Sequence, residues 1–186
     1  MLNKKLLSNI LFSMSCVFIS FTLASCSTHQ KITPLPTPII TQLKAQPLGP
    51  MLPIPVQGIS QKQLSDTWGV ARSHGRKHDG IDIIAPRGTS VSSTTNGVIA
   101  SLKPNTLGGT VVWIIGPAGS WHYYAHLDTL ARGLYVGQQI KVGQRIGTVG
   151  NTGNAKHTVS HLHYGIYLDG KGRGAVNPYF YLYGRR

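Results

Sequence analysis

A His-x-x-x-Asp pair (His78, Asp82) and a His-x-His pair (His161, His163) stand in a chain that contains no glutamate. Imidazole nitrogens and a carboxylate at these spacings are zinc-ligand types. Without Glu the chain cannot be a His-Glu-x-x-His hydrolase or use a glutamate base. In a metal hydrolase of this composition, proton transfer falls to histidine. His126, and His161 or His163, are the candidates for it.

The spacings constrain the local backbone. Residues i and i+4 of a straight strand lie about 13 Å apart, too far to share one ion. Asp79-Gly80 is a turn signal, and the β-branched run Ile81-Asp82-Ile83-Ile84 after it opposes a helix. His78 therefore has to sit in a turn that folds back towards Asp82. His161 and His163 are i, i+2, so on a strand both point to one face and Leu162 to the other. Either can be a ligand, or one can bind metal while its neighbour holds water or substrate. His126 ends a further predicted strand. His29, His74, His122 and His157 read as surface, with His157, in a Gly-rich loop, the nearest of the four to lining a cleft.

Strands are predicted over residues 97–102, 110–115, 121–126, 145–149 and 162–168, separated by Gly/Pro/Asn clusters such as Gly108-Gly109 and Gly116-Pro117. Short strands without helical periodicity predict an all-β domain, an antiparallel sandwich or barrel-like sheet, over residues 63–186. Tyr124 and Tyr164 fall on these strands, where packing is the ordinary role of a tyrosine, although either could assist at a site.

Before the domain come two segments of different texture. Residues 1–25 have a basic start (Lys4, Lys5), an apolar stretch and small residues ahead of Cys26, which reads as an export signal rather than a membrane span. Residues 26–62 carry Pro34, Pro36, Pro38, Pro47, Pro50, Pro53 and Pro55 and read as an extended tether. At ~3.1 Å per residue, roughly 30 residues of such a segment reach at most about 90 Å. Ile39, Ile40, Leu43, Leu48, Met51 and Leu52 support the alternative of a tail packed along the domain. The other cysteine, Cys16, lies inside the leader, so the mature chain has no internal disulfide.

Eighteen Lys and Arg against five acids give a formal charge of +13. That excess is either a solvated surface or an attraction to a polyanion: nucleic acid, anionic lipid, or a carboxylate-rich wall. No nucleic-acid module is present, and the leader directs the chain out of the cytoplasm.

Two resemblances follow from the ordered motifs. Leu23-Ala24-Ser25-Cys26 resembles the bacterial lipobox, which implies acyl chains on Cys26 and a membrane anchor. With Ser27 after the cysteine, a Gram-negative lipoprotein would be sorted to the outer membrane, facing the periplasm. His78-Asp79-Gly80-Ile81-Asp82-Ile83, Gly88-Thr89, Gly97-Val98-Ile99, Tyr124-Ala125-His126-Leu127, Gly147 to Gly153 and His161-Leu162-His163-Tyr164 resemble, in order and spacing, the lysostaphin/LytM-type zinc metalloendopeptidases that cut peptidoglycan. The resemblance implies an antiparallel β-fold with a substrate groove and one Zn2+ per chain. It implies His78, Asp82 and His163 as metal ligands, with His126 and His161 as the catalytic pair. The substrate it implies is a peptide stem or cross-link of peptidoglycan. The rival is a non-catalytic envelope module that binds peptidoglycan or activates amidases, as in members that have lost the metal residues; here all five are present. A structural zinc site is a weaker rival, because such sites are usually closed and Cys-rich, and the domain has no Cys.

Overall fold

The computed structural model describes residues 35–184. The expected export signal, Cys26 and the first part of the expected tether lie outside the described residues. Among the described residues, no helix is long and apolar enough to cross a membrane.

The domain is one antiparallel β-system, as its strand-and-turn pattern predicts. It comprises β1 (Ile81–Ile84), β2 (Ser90–Ser92), β3 (Gly97–Ser101), β4 (Thr110–Ile115), β5 (Trp121–Leu130), β6 (Gln139–Ile140), β7 (Arg145–Val149), β8 (His161–Tyr167) and β9 (Ala175–Val176). The main path runs β1-β8-β5-β4-β3-β6. β2 pairs with β7, β7 with the end of β5, and β9 with β8. β5 therefore serves two neighbourhoods: its first half lies between β4 and β8, and its end turns onto β7.

Period-two alternation divides the sheet into two faces. Ile81, Ile83, Val112, Ile114, Leu162 and Ile166 point into the main core and are buried. The intervening Asp82, Trp113, Tyr123, His161 and His163 line a cleft on the other face.

His122 was expected on the surface, but it is fully buried. It faces the core with Tyr124 and Tyr164, and a polar chain satisfies it. Ser120 Oγ donates to Pro117 O (2.7 Å). His122 Nε2–H then donates to Ser120 Oγ (2.9 Å), and Nδ1 accepts from the Tyr164 hydroxyl (2.8 Å). Thr94 Oγ1 joins Tyr164 and Tyr124, each at 2.8 Å. Every member has a partner, which is what makes burial of such groups tolerable. It also takes both tyrosines away from any chemistry in the cleft.

The expected tether differs from Leu35 onward. Thr37–Ala45 forms helix α1, with Pro36 at the N-cap and Pro38 in the first turn, where a missing N–H costs nothing. Leu43 is buried, and Ala118 N–H donates to Gln46 O (2.7 Å). Further on, Val56 bridges Val91, and Gln57 and Ser92 exchange backbone bonds with Ser90 and Pro55. This adds an edge to β2. Leu52 and Val56 belong to the core, and Leu52 N–H donates to Tyr181 O in the short helix α2 (Tyr179–Tyr183). Residues 35–62 thus take the packed-tail alternative: apolar burial outweighs the extended bias of the prolines.

Burial holds His122 unprotonated, with its pKa lowered from 6.5 to about 3. The unfolded chain takes up this proton below about pH 6.5 and the folded chain refuses it, so acidification from there towards pH 3 favours unfolding. Denaturant titrations at pH 7 and pH 4 should show lower stability at pH 4, with a smaller difference in His122→Gln; an unchanged difference would remove His122 as a source.

Candidate metal centre and its histidine pair

Strand register assembles the first part of the site. On β1 and β8, Asp82 lies directly opposite His163, and Ile84 opposite His161. On the far side of β8, Ala125 of β5 pairs with His163. The small side chain at position 125 leaves the floor of the cleft open between the two histidine-bearing strands. His78 precedes β1 and is brought back by a turn, as its spacing requires. His78 N–H donates to Val70 O (3.0 Å) and Gly69 N–H to His78 O (2.9 Å).

The donor atoms converge. His78 Nε2 lies 3.1 Å from Asp82 Oδ1 and 2.8 Å from His163 Nδ1. His163 Nδ1 lies 3.4 Å from Asp82 Oδ1. Among the described residues these three form a group whose ligand atoms all lie within 4.8 Å of one another and that could hold a metal ion. Bonds of ~2.0–2.1 Å in a tetrahedron put ligand atoms about 3.3 Å apart, close to what is seen. The donor chemistry fits too: two imidazoles and one carboxylate, with Oδ1 the carboxylate oxygen turned to both rings. Burial opposes the Asp82 charge, but hydrogen bonds with His163 and His78 outweigh it and hold the carboxyl well below the usual carboxylate range. Burial lowers the His163 pKa, against the pull of Asp82. Both effects favour the deprotonated donors that a metal requires.

His126 reaches the cleft by a backbone irregularity. Simple alternation places it with His122 and Tyr124 on the core face. Three steps along β5 (Tyr124 to Leu127) oppose two along β4, and His126 takes φ 61°, a left-handed value uncommon outside glycine. The bulge turns the ring onto the face of Ala125. Its N–H donates to Gly108 O (2.8 Å). The ring lies edge-on to His161, with centroids 4.9 Å apart, and 6.0 Å from His163. Strain at a non-glycine residue that points into a cleft is typical of functional positions.

His126 and His161 share one hydrogen-bond arrangement. Nδ1 of His126 donates to Thr152 O (2.9 Å), and Nδ1 of His161 donates to Val159 O (2.8 Å). In the neutral form of each ring the proton then sits on Nδ1 and Nε2 is the basic nitrogen. Burial lowers the His126 pKa to about 4, with the Thr152 carbonyl acting against it and His161 and His163 adding to it.

The cleft measures about 410 Å3. One wall is aromatic: Trp113 stacks on Tyr123 at 4.2 Å and packs on Tyr167 at 5.4 Å. Arg72, Arg76 and Lys77 line it as well. Sequence reasoning did not single out this wall, although Tyr123 shares the alternation face of Ala125. Of the expected surface histidines, His74 and His157 are exposed and His29 lies outside the described residues. Asn154, Ala155 and Thr158, neighbours of His157, line the cleft.

Comparison with known proteins agrees with this geometry. Residues 76–178 match Peptidase family M23, and the chain belongs to that family. The L-Ala–D-Glu endopeptidase of Bacillus subtilis is 38% identical over 138 residues, covering 70% of this chain and 42% of the relative. The peptidoglycan DD-endopeptidase ShyC of Vibrio cholerae is 35% identical over 95 residues, 51% of this chain and 21% of the relative. The chain thus spans less than half the length of these curated relatives. Among solved structures, the catalytic domain of lysostaphin from Staphylococcus simulans superposes with a TM-score of 0.57 at 26% identity, covering 63% of this chain and 91% of that one. The catalytic domain of the M23 protein EnpA from Enterococcus faecalis gives 0.58 at 27% identity, covering 70% and 96%.

Gly80 makes room for the His163 ring. A Cβ there would meet Tyr164 O at 2.5 Å and His163 Cε1 at 2.7 Å. Gly80→Ala should displace that ring and cost roughly 1–3 kcal/mol of stability. It should also shrink the rise in melting temperature that zinc gives the parent protein. A full zinc-induced rise in the variant would show that the ring position is unimportant.

Proposed function

We propose that the chain is a zinc-dependent endopeptidase that cleaves peptide stems or cross-links of bacterial peptidoglycan. Its ligands would be His78, Asp82 and His163, with one ion per chain. The observation that carries the reading is the pair of imidazoles, His126 and His161, each tied to a backbone carbonyl through Nδ1, beside three converged donor atoms in an open cleft. Relatives named as peptidoglycan DD-endopeptidases, and one named as an L-Ala–D-Glu endopeptidase, support the substrate class. A zinc ion held by three protein ligands supplies a Lewis acid for the scissile carbonyl and brings the pKa of water towards 7.

The protein's own part is proton handling and positioning. As water attacks the carbonyl carbon, its proton passes to Nε2 of His161 or His126. That ring is then an imidazolium, and it returns the proton to the nitrogen of the leaving amine as the peptide bond breaks. The carbonyls of Thr152 and Val159 fix both rings through Nδ1, so neither has to reorient during the transfer. With no glutamate in the chain, and Asp82 turned to the ligand rings, imidazole is the base that packs beside the three donors. The aromatic wall and the small Ala125 shape the groove for an extended peptide. Arg76 and Lys77 along it suit a polymer with free carboxylates.

The cellular setting belongs to the same proposal. The leader and the lipobox-like Cys26 support lipid anchoring in the cell envelope, at the outer membrane facing the periplasm in a Gram-negative cell.

Purified sacculi incubated with the protein should release peptide fragments, and a chelator should stop release. His126→Ala and His161→Ala should each bind zinc as the parent does yet lose about 10²–10⁴-fold in turnover. Normal turnover in either variant would remove that ring from the chemistry. Stimulation of an amidase without any fragment release by the parent would favour the non-catalytic module.

A further inference from the structure

The segment before the matched family region supports two of the three ligands from behind. Thr67 contacts both: its carbonyl accepts His78 Nδ1–H (2.7 Å), and its Oγ1 accepts the backbone N–H of Asp82 (3.0 Å). Arg72 Nη2 lies 2.8 Å from the same His78 Nδ1, so the Thr67 carbonyl and the guanidinium both face that nitrogen, on the side of the ring away from Nε2. Arg72 projects from a hairpin closed by its own N–H to Arg76 O (2.8 Å) and by the Ala71–Lys77 bridge. Its Nη2 donates to Asp82 Oδ2 at 2.5 Å. The two Asp82 oxygens are therefore divided: Oδ1 faces the rings of His78 and His163, and Oδ2 faces a guanidinium. Arg72 Nε is buried and has no hydrogen-bond partner among the described residues. An unsatisfied buried donor is a cost that packing alone gives no reason to keep.

We infer that Arg72 is a positioning residue that reserves Asp82 Oδ2, so that the carboxylate offers the metal only Oδ1. The inference rests on the metal-centre reading given above. Zinc accepts carboxylate oxygens readily and can expand beyond four ligands. An Asp82 with both oxygens free would occupy a position that water or the scissile carbonyl needs. The guanidinium closes that option through geometry, and its charge draws electron density from the ligand. Outer hydrogen-bond partners of metal ligands usually raise affinity, being carbonyls, carboxylates or water. Here the partner is a cation, and a cation beside a ligand of a dication repels it. Arg72 thus holds affinity down and keeps the coordination sphere open. A brace that merely held the hairpin in place would do neither.

Zinc affinity by competition with a chromogenic chelator, together with the visible spectrum of the cobalt(II)-substituted protein, tests this. Arg72→Met should bind zinc on the order of 10-fold more tightly, because the repelling charge is gone and a second oxygen is released. Its cobalt spectrum should weaken towards that of a higher-coordinate site, and its turnover should fall. Arg72→Lys keeps a cation and one donor and should resemble the parent in all three readouts. Should Arg72→Met fail to fold, Arg72→Gln supports the same comparison. Weaker zinc binding, or a spectrum superimposable on the parent's, overturns the role given to Arg72 and leaves the metal site standing. A parent protein that binds neither ion overturns the metal-centre reading itself.

Discussion

The site depends on the register between β1 and β8. Side chains alternate across a strand, so Asp82 and His163 share a face only because they are direct partners. A slip of one residue would send Asp82 into the apolar core and Ile81 or Ile83 into the cleft. The register is held from the core side, where Ile81, Ile83 and Leu162 are almost wholly buried. Burying those three side chains stabilises the sheet by roughly 1.5–3 kcal/mol each. The same packing aims two ring nitrogens and one oxygen at a common point. The fold and the metal centre are thus two faces of one pairing.

The remaining parts of the site are departures from regular structure, each paid for nearby. His78 needs a turn, which Gly80 permits by leaving space for the His163 ring. His126 needs a left-handed residue within a bulge, and its backbone N–H finds Gly108 O. Gly108 and Gly109 let the following loops come close: a Cβ on Gly109 would lie 2.3 Å from Gly153 N. Thr152 from that contact then orients His126 through its carbonyl. On the opposite face, the His122–Tyr164–Thr94–Tyr124 chain ties β5 and β8 together directly behind the histidines. Regular strands provide the platform, and the irregular positions aim the side chains.

Much of this was legible in the sequence, because the relevant signals are local. The turn at Asp79-Gly80, the shared face of His161 and His163, and the strands at 110–115 and 145–149 all follow from residue types and spacing. Short elements such as β2, β6 and β9 left no periodicity to read. The face of His126 was not legible, since a bulge depends on what the neighbouring strand offers. His122 was misread because a lone histidine between aromatic residues gives no sign that Thr94 and Tyr164, distant in sequence, join Ser120 around its ring. The prolines of residues 35–62 suggested an extended chain, whereas burial of Leu43, Leu52 and Val56 is a tertiary effect. Arg72 was invisible for a similar reason: its meaning comes from Asp82, which only the folded hairpin brings within reach.

The central claim is that two imidazoles and one carboxylate share a single ion. Anomalous diffraction recorded on either side of the zinc absorption edge, from crystals grown with zinc, tests it most directly. The account predicts one strong peak per chain, within bonding distance of His78 Nε2, Asp82 Oδ1 and His163 Nδ1, and open towards His126 and His161. A peak elsewhere, or none at these three atoms, would contradict it.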